Sequence, residues 1–245
     1  MTVDAVIPAL DEAASIGQVL DALPGGWIRR VVVADNGSRD GTPDVARAHG
    51  ALVVHEPRRG YGSACLRAIA ALSDDPPDAV LFLDADLSDD PGEAPALLGP
   101  IAEGRADLVI GSRTLGERER GALTPQARFG NWLATRLLRR FHGVSWTDLG
   151  PFRAIRYPAL VALGMRDPDF GWTVEMQVKA ARARLRGVEV PVRYRRRIGR
   201  SKISGTLVGT VRAGSKILGV IAADVLRHGP MREPPGADAA RRGAP

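Results

Sequence analysis

Five short apolar runs, each followed by a helical pattern, fix what the first half of this chain can become. Val3–Ile7, Ile28–Ala34, Ala51–His55, Ala79–Leu83 and Asp107–Ile110 read as strands. Between the first two, Ile16, Val19, Leu20 and Leu23 recur at helical spacing before Pro24-Gly25-Gly26 stops the helix. Further helices are expected from Pro43 to about His49, from Tyr61 through about Leu72, and over about Gly92 to Ala102. The run Val31-Val32-Val33 suits a parallel strand covered on both faces. Strand and helix alternating from residue 3 to residue 111 demand an α/β fold with a right-handed, mostly parallel central sheet flanked by helices.

The fourth strand ends in Asp84-Ala85-Asp86. Open α/β sheets place ligands just beyond the carboxyl ends of such strands. A carboxylate leaving an apolar strand is costly to desolvate unless it meets a cation, and two hard oxygen donors one residue apart suit Mg²⁺ or Mn²⁺ shared with phosphate oxygens. The same pair also occurs in ordinary surface loops, so its neighbours must decide. Arg58-Arg59-Gly60-Tyr61-Gly62 brings glycine, cations and a helix start together, a plausible seat for phosphate. Its spacing fits neither a P-loop nor a dinucleotide fingerprint. Asp35-Asn36-Gly37-Ser38, by itself, is an ordinary turn between strand and helix.

Beyond residue 112 the rhythm changes. A loop over Gly116–Thr124 precedes a helix opened by Pro125, in which Phe129, Trp132, Leu133, Leu137 and Phe141 interleave with Arg128, Arg136, Arg139 and Arg140. Such a helix either packs on the sheet with its arginines in water or rests on anionic lipid. Thr147–Arg153 returns to a turn and strand, Thr173–Arg184 is helical, and Val188–Val192 is a further strand. Then Arg193–Lys202 carries six cations in ten residues, a run that repels itself unless anions visit. A last amphipathic helix begins at Thr206, to lie on a membrane or dock onto the body, and the Gly-, Pro- and Ala-rich stretch 229–245 is expected to be disordered. The expected organisation is one domain over 1–228, in two parts at 1–111 and 112–205 with the helix at 206–228.

A net charge of +6 suits an anionic partner. The lone Cys65 gives no internal disulfide, and neither an export leader nor an 18-residue apolar run is visible, so cytoplasmic residence is expected, with any membrane contact peripheral.

Taken together, Val6-Ile7-Pro8-Ala9 with Glu12, Asp35-Asn36-Gly37-Ser38 with Asp40 and Thr42, Asp84-Ala85-Asp86, Gly111-Ser112-Arg113, Asp148 with Phe152-Arg153, and Arg196 with Gly199, Ser201 and Lys202 make the chain resemble the family 2 glycosyltransferases of GT-A fold. Within them it is most similar to the polyprenyl (dolichyl) phosphate mannose and glucose synthases. The resemblance spans residues 3 to 205 and implies a metal-dependent, inverting transfer of glucose or mannose from a UDP- or GDP-hexose to a polyprenyl phosphate at the cytoplasmic membrane face. It implies that Pro8, Ala9, Glu12 and Asp35 border the nucleotide, that Asp84 and Asp86 face ribose and metal-bound diphosphate, and that Arg113, Arg196 and Lys202 hold phosphates. A lipid phosphate needs little help from a base, whereas a hydroxyl acceptor would need a carboxylate, for which Glu175 and then Asp148 are the candidates. Asp11, Ser88 and the stretch 121–127 depart from the family pattern, which leaves the acceptor open: a soluble hydroxyl is the first alternative. A non-catalytic basic module binding membrane or nucleic acid is the second. Against nucleic acid stand the cluster of acids, which repels a phosphate backbone, and an aromatic content of 5%, poor for stacking bases.

Overall fold

A computed structural model describes residues 1–199 and 207–231, with backbone alone at 207–211. Seven strands, β1 (Val3–Ala9), β2 (Arg30–Asp35), β3 (Leu52–His55), β4 (Ala79–Phe82), β5 (Leu108–Ser112), β6 (Arg153–Arg156) and β7 (Gly187–Pro191), form one sheet in the order β3-β2-β1-β4-β6-β5-β7. Every pair is parallel except those made by β6, which runs against both β4 and β5. The α/β fold expected from the alternation of apolar runs is what the chain adopts.

The inner strands form where they do because their side chains are buried on both faces, while the edge strands β3 and β7 are partly exposed. Val6, Val32, Val80, Phe82 and Ile110 pack under one layer of helices, while Ile7, Val33, Leu81, Leu83 and Val109 pack under the other. Helix α2 (Thr42–Ala48) sits against β2 and β3 with α1 (Ile16–Ala22) beside it, α4 (Ala94–Ala102) sits against β5 and β6, and α3 (Tyr61–Ala70) lies across β1 and β2. Strand β1 is the turning point of the sheet, with β2 on one side and β4 on the other. The crevice beyond the carboxyl ends of β1 and β4 is therefore where a ligand belongs.

The second half builds a helical cluster on this sheet. α5 (Pro125–His142) is started by the Thr124 hydroxyl accepting from Ala127 N and ended by Gly143 in the left-handed region. With α7 (Trp172–Arg182) and α8 (Leu207–His228) it encloses Ala134, Leu138, Val174, Val178 and Ile221. So α8 docks onto the body. Its Asp224 takes hydrogen bonds from Arg182 (2.7 Å) and His142 (2.8 Å), tying three helices together. The expected disordered tail begins differently, since Met231 N donates to Phe141 O; residues 232–245 lie outside the described residues. One element escapes the periodicity argument: α6 (Tyr157–Leu163), seven residues long with a proline in its first turn.

The end of α3 that faces the crevice is held by backbone-to-backbone contact. A Cβ on Gly62 would stand 2.0 Å from the carbonyl oxygen of Asp167, and Gly60 has φ +147°. Trp172, fully buried, packs on Phe82 (4.8 Å between centroids) and on Tyr61 (6.2 Å), joining α7, β4 and α3. Gly62→Ala should cost roughly 1–3 kcal/mol, the usual range for overpacking a tight contact, read as a lower urea midpoint at unchanged slope. An unshifted midpoint would mean that the 167–168 loop yields freely.

Candidate active site

The ends of β1, β2, β3 and β4 open into a cavity of about 270 Å³ lined by Pro8, Ala9, Leu10 and Glu12, by Asn36, by Arg59, Gly60, Tyr61 and Ala64, and by Asp84, Ala85 and Asp86; Asp169, Phe170, Arg197 and Arg212 complete the wall. Its floor is built by local rules. Asp35 is buried at the end of β2, and its carboxylate accepts from Gly37 N and Ser38 N, while Asn36 holds Glu56 O and Arg58 O and accepts from Gly60 N (2.8 Å). The turns after β2 and β3 are thereby clamped to each other.

Asp86 is 3% exposed, and its Oδ1 accepts from Ser88 N while its Oδ2 meets Arg197 at 2.9 Å. Asp84 has a buried Oδ1 with no hydrogen-bond partner among the described residues. Burial and the nearby charge of Asp86 push its carboxyl up to about 7. Leu87, which follows Asp86, has φ +59°, a strained conformation for a branched side chain, of the kind that persists where surrounding structure over-determines it. One buried carboxylate oxygen without a hydrogen-bond partner among the described residues, Asp84 Oδ1, beside an Asp86 carboxylate held by Ser88 N and Arg197, in a pocket that resists two adjacent negative charges, is a donor set that would suit a divalent ion such as Mg²⁺ or Mn²⁺.

Other expected site residues are placed differently. Arg113 is locked to Asp148 by paired contacts of 2.8 and 2.7 Å, and it lies over the Tyr194 ring at 5.1 Å. Burial alone would raise the Asp148 carboxyl, but the charge and hydrogen bonds of Arg113 hold it below the usual range. Neither residue lines the cavity. The proposed base Glu175 is corrected: its carboxylate accepts from Arg166 N and Asp167 N, pairs with Lys179 at 2.7 Å, and faces a separate groove bounded by α6, α7 and α8. It anchors the loop before α7 because an acid in the first turn of a helix can satisfy free backbone amides. Arg196 is corrected too, since it points outward to Glu119 and Arg120 O. Its neighbour Arg197 enters the cavity instead. Lys202 lies outside the described residues. Arg59 and Tyr61 line the cavity from the stretch read as a phosphate seat, and Arg197 from the cationic run, which the sequence did not resolve residue by residue; Asp169, Phe170 and Arg212 were not singled out for the site, and nothing local marks them.

Against known proteins, the family model described as glycosyl transferase family 2 matches residues 4–164. An uncharacterised glycosyltransferase of Mycobacterium bovis is 41% identical over 85% of this chain and 93% of its own length. An undecaprenyl-phosphate mannosyltransferase of Micrococcus luteus is 31% identical, covering 85% and 90%. Among solved structures, a glucosyl-3-phosphoglycerate synthase from Mycobacterium tuberculosis, in complex with Mn²⁺, UDP and glucosyl-3-phosphoglycerate, superposes with a TM-score of 0.73 at 25% identity, covering 94% of this chain and 81% of the other.

The Arg113–Asp148 pair supplies a test of how the cavity's flank is held. Asp148→Asn keeps the shape but leaves a buried guanidinium uncompensated, and should cost about 3–5 kcal/mol at neutral pH. A carboxyl whose folded pKa is depressed contributes stability above its unfolded value, near 4, and loses it as pH falls through the folded value. The gap between the two proteins in unfolding free energy should thus be full at pH 7 and close below pH 4; a gap that persists in acid would assign the loss to geometry rather than charge.

Proposed function

The chain belongs to glycosyl transferase family 2, and on that premise we propose that it moves a hexose from a nucleoside diphosphate sugar, held with a divalent metal at Asp84 and Asp86, to the hydroxyl of a small acidic acceptor. The observation that carries the reading is one cavity in which the acid pair, Arg59, Arg197 and Arg212 share a wall with Pro8, Glu12 and Asn36 at the turning point of the sheet. Pro8, Ala9, Glu12, Asn36 and the buried Asp35 behind them border the nucleoside. Asp84 and Asp86 hold the metal, which when bound offsets the charge that a departing nucleoside diphosphate gains. Arginine side chains add fixed positive charge where that negative charge develops.

A hydroxyl acceptor needs a base. Once Asp84 and Asp86 are engaged, Asp169, which lines the cavity from the loop before α7 and meets Arg212 at 3.4 Å, is the carboxylate placed to take the hydroxyl proton as its oxygen attacks the anomeric carbon. Attack in line with the departing diphosphate inverts the anomeric centre. The Mycobacterium tuberculosis structure holding UDP, Mn²⁺ and a glucosylated phosphoglycerate supports a small soluble acceptor. A second reading, a polyprenyl phosphate acceptor at a membrane surface, draws on the Micrococcus relative and on α5, where Phe129 (62% exposed) and Trp132 (53% exposed) stack at 5.7 Å and Arg136 lies over Trp132. Paired aromatics among arginines suit an anionic bilayer.

Incubating the protein with radiolabelled UDP-glucose or GDP-mannose, Mn²⁺, phosphoglycerate and polyprenyl phosphate, then partitioning into solvent, separates the two. Label in the aqueous glycoside, lost with Asp86→Ala and lowered about 10²–10⁴-fold by Asp169→Asn, is the expected result. Label in the organic phase that is indifferent to Asp169→Asn would establish the lipid phosphate acceptor. In that case the double change Phe129→Ser and Trp132→Ser should also abolish cosedimentation with anionic vesicles, and retained cosedimentation would clear α5 of a membrane role.

A further inference from the structure

The run Arg193–Arg197 does not present its charges to solvent as a block. Arg193 meets Glu93 and Glu117, Arg195 meets Asp90 at 2.6 Å, and Arg196 meets Glu119, each outside the cavity. Among the described residues of the run, Arg197 alone lines the cavity, and its partner there is Asp86 Oδ2. The contact is registered by the backbone on both sides. Tyr194 bridges antiparallel to Asp89, Arg195 N donates to Ser88 O (2.8 Å), and Ile198 N donates to Asp86 O (2.9 Å). This short ladder delivers the guanidinium to the acid pair, while the side chain keeps 31% of its surface in solvent and so retains room to turn.

The acid pair therefore already has a cation. We propose that Arg197 is an internal counter-cation that shares Asp86 with the divalent metal: it holds the carboxylate in the empty enzyme, opposes entry of bare metal, and exchanges Asp86 for the donor's diphosphate when metal and nucleotide arrive together. The inference rests on the nucleotide-sugar reading above and adds to it a coupling between the two ligands. A cation bound to the same oxygen as the metal weakens that metal by repulsion, and the same cation freed to meet a diphosphate strengthens the nucleotide. Opposite effects on two ligands at one residue are a coupling free energy, and by reciprocity each ligand must raise the affinity of the other. The arrangement loads metal only with the nucleotide that needs it. Surface arginines paired to Glu93, Asp90 and Glu119 fix the segment, leaving Arg197 free to change partner without unfolding the ladder.

Titration calorimetry on the full chain at fixed pH and ionic strength tests this with MnCl₂ alone, and with UDP at saturating Mn²⁺. Arg197→Gln should bind bare Mn²⁺ about tenfold more tightly than wild type and bind UDP with Mn²⁺ about tenfold more weakly, so that, with affinity for UDP alone unchanged, the coupling shrinks by about tenfold, inside the range seen for linked sites. Arg197→Lys keeps the charge but loses the planar fork, and should fall between the two on both measurements. Unchanged affinity for bare Mn²⁺ in both variants, with melting temperatures matching wild type, would overturn the proposal while leaving the donor assignment standing. A wild-type protein that takes up no UDP at saturating Mn²⁺ would instead remove the donor assignment itself.

Discussion

The parallel pairing of β4 with β1 is the constraint from which the site follows. Its register runs from Val3 opposite Ala79 to Val6 opposite Phe82, so that both strands leave the sheet at one level, and every side chain of β4 is buried. Asp84 and Asp86 thus emerge at the rim of an apolar wall instead of in bulk water. There the Coulomb interaction between charges is several times stronger than in solvent, and an uncompensated carboxylate is correspondingly costly. The pair cannot be understood without its cations.

Three buried or half-buried arginines meet that demand in different ways. Arg153 is fully buried and donates to the backbone carbonyls of Leu149, Gly150 and Thr173, with burial lowering its guanidinium to about 10, still cationic at neutral pH. It pins β6 to the turn before it and to the start of α7. Arg113 is bound in a fork to Asp148, a geometry that favours arginine over lysine and leaves little freedom. Arg197 pairs with a single oxygen of Asp86 and keeps a partly solvated side chain. The first two are structural in consequence, since releasing either would strand a charge; the third can leave Asp86 only when another cation takes its place there. Freedom to exchange partners, more than proximity alone, marks a group suited to ligand binding.

This difference explains what was legible in the sequence. Strands one to five could be read as short apolar runs, and Asp84 and Asp86 followed from their place at the end of one of them, whereas Pro8, Ala9 and Glu12 came from the resemblance to the family. Choosing between Arg196 and Arg197 could not be done that way. Adjacent residues on an extended segment point to opposite sides, so a one-residue difference in register exchanges inside for outside. That register is set by the pairing of Tyr194 with Asp89, about a hundred residues earlier in the chain, which no local pattern records. Glu175 misled for a related reason. An acid opening a helix satisfies backbone amides wherever the helix sits, and only packing of Trp172 between Tyr61 and Phe82 decides which groove it faces.

The same reasoning shows why donor chemistry is better determined than acceptor chemistry. The donor side is assembled from strand ends, whose positions are fixed by ladders of hydrogen bonds, and from turns clamped through Asn36 and Asp35. On the proposed function the acceptor side would be assembled from the 167–170 loop, the segment after β7 and α8, which are held to each other and to α3 by contacts such as Ser63 N to Pro168 O and Lys216 to Asp167. Such contacts fix a loop's backbone without dictating which side chain it offers at Asp169, Phe170 or Arg212. On the proposed function, substitution at those few positions would change the acceptor while the sheet and the acid pair stay as they are, since loops vary more freely than the scaffold that carries them.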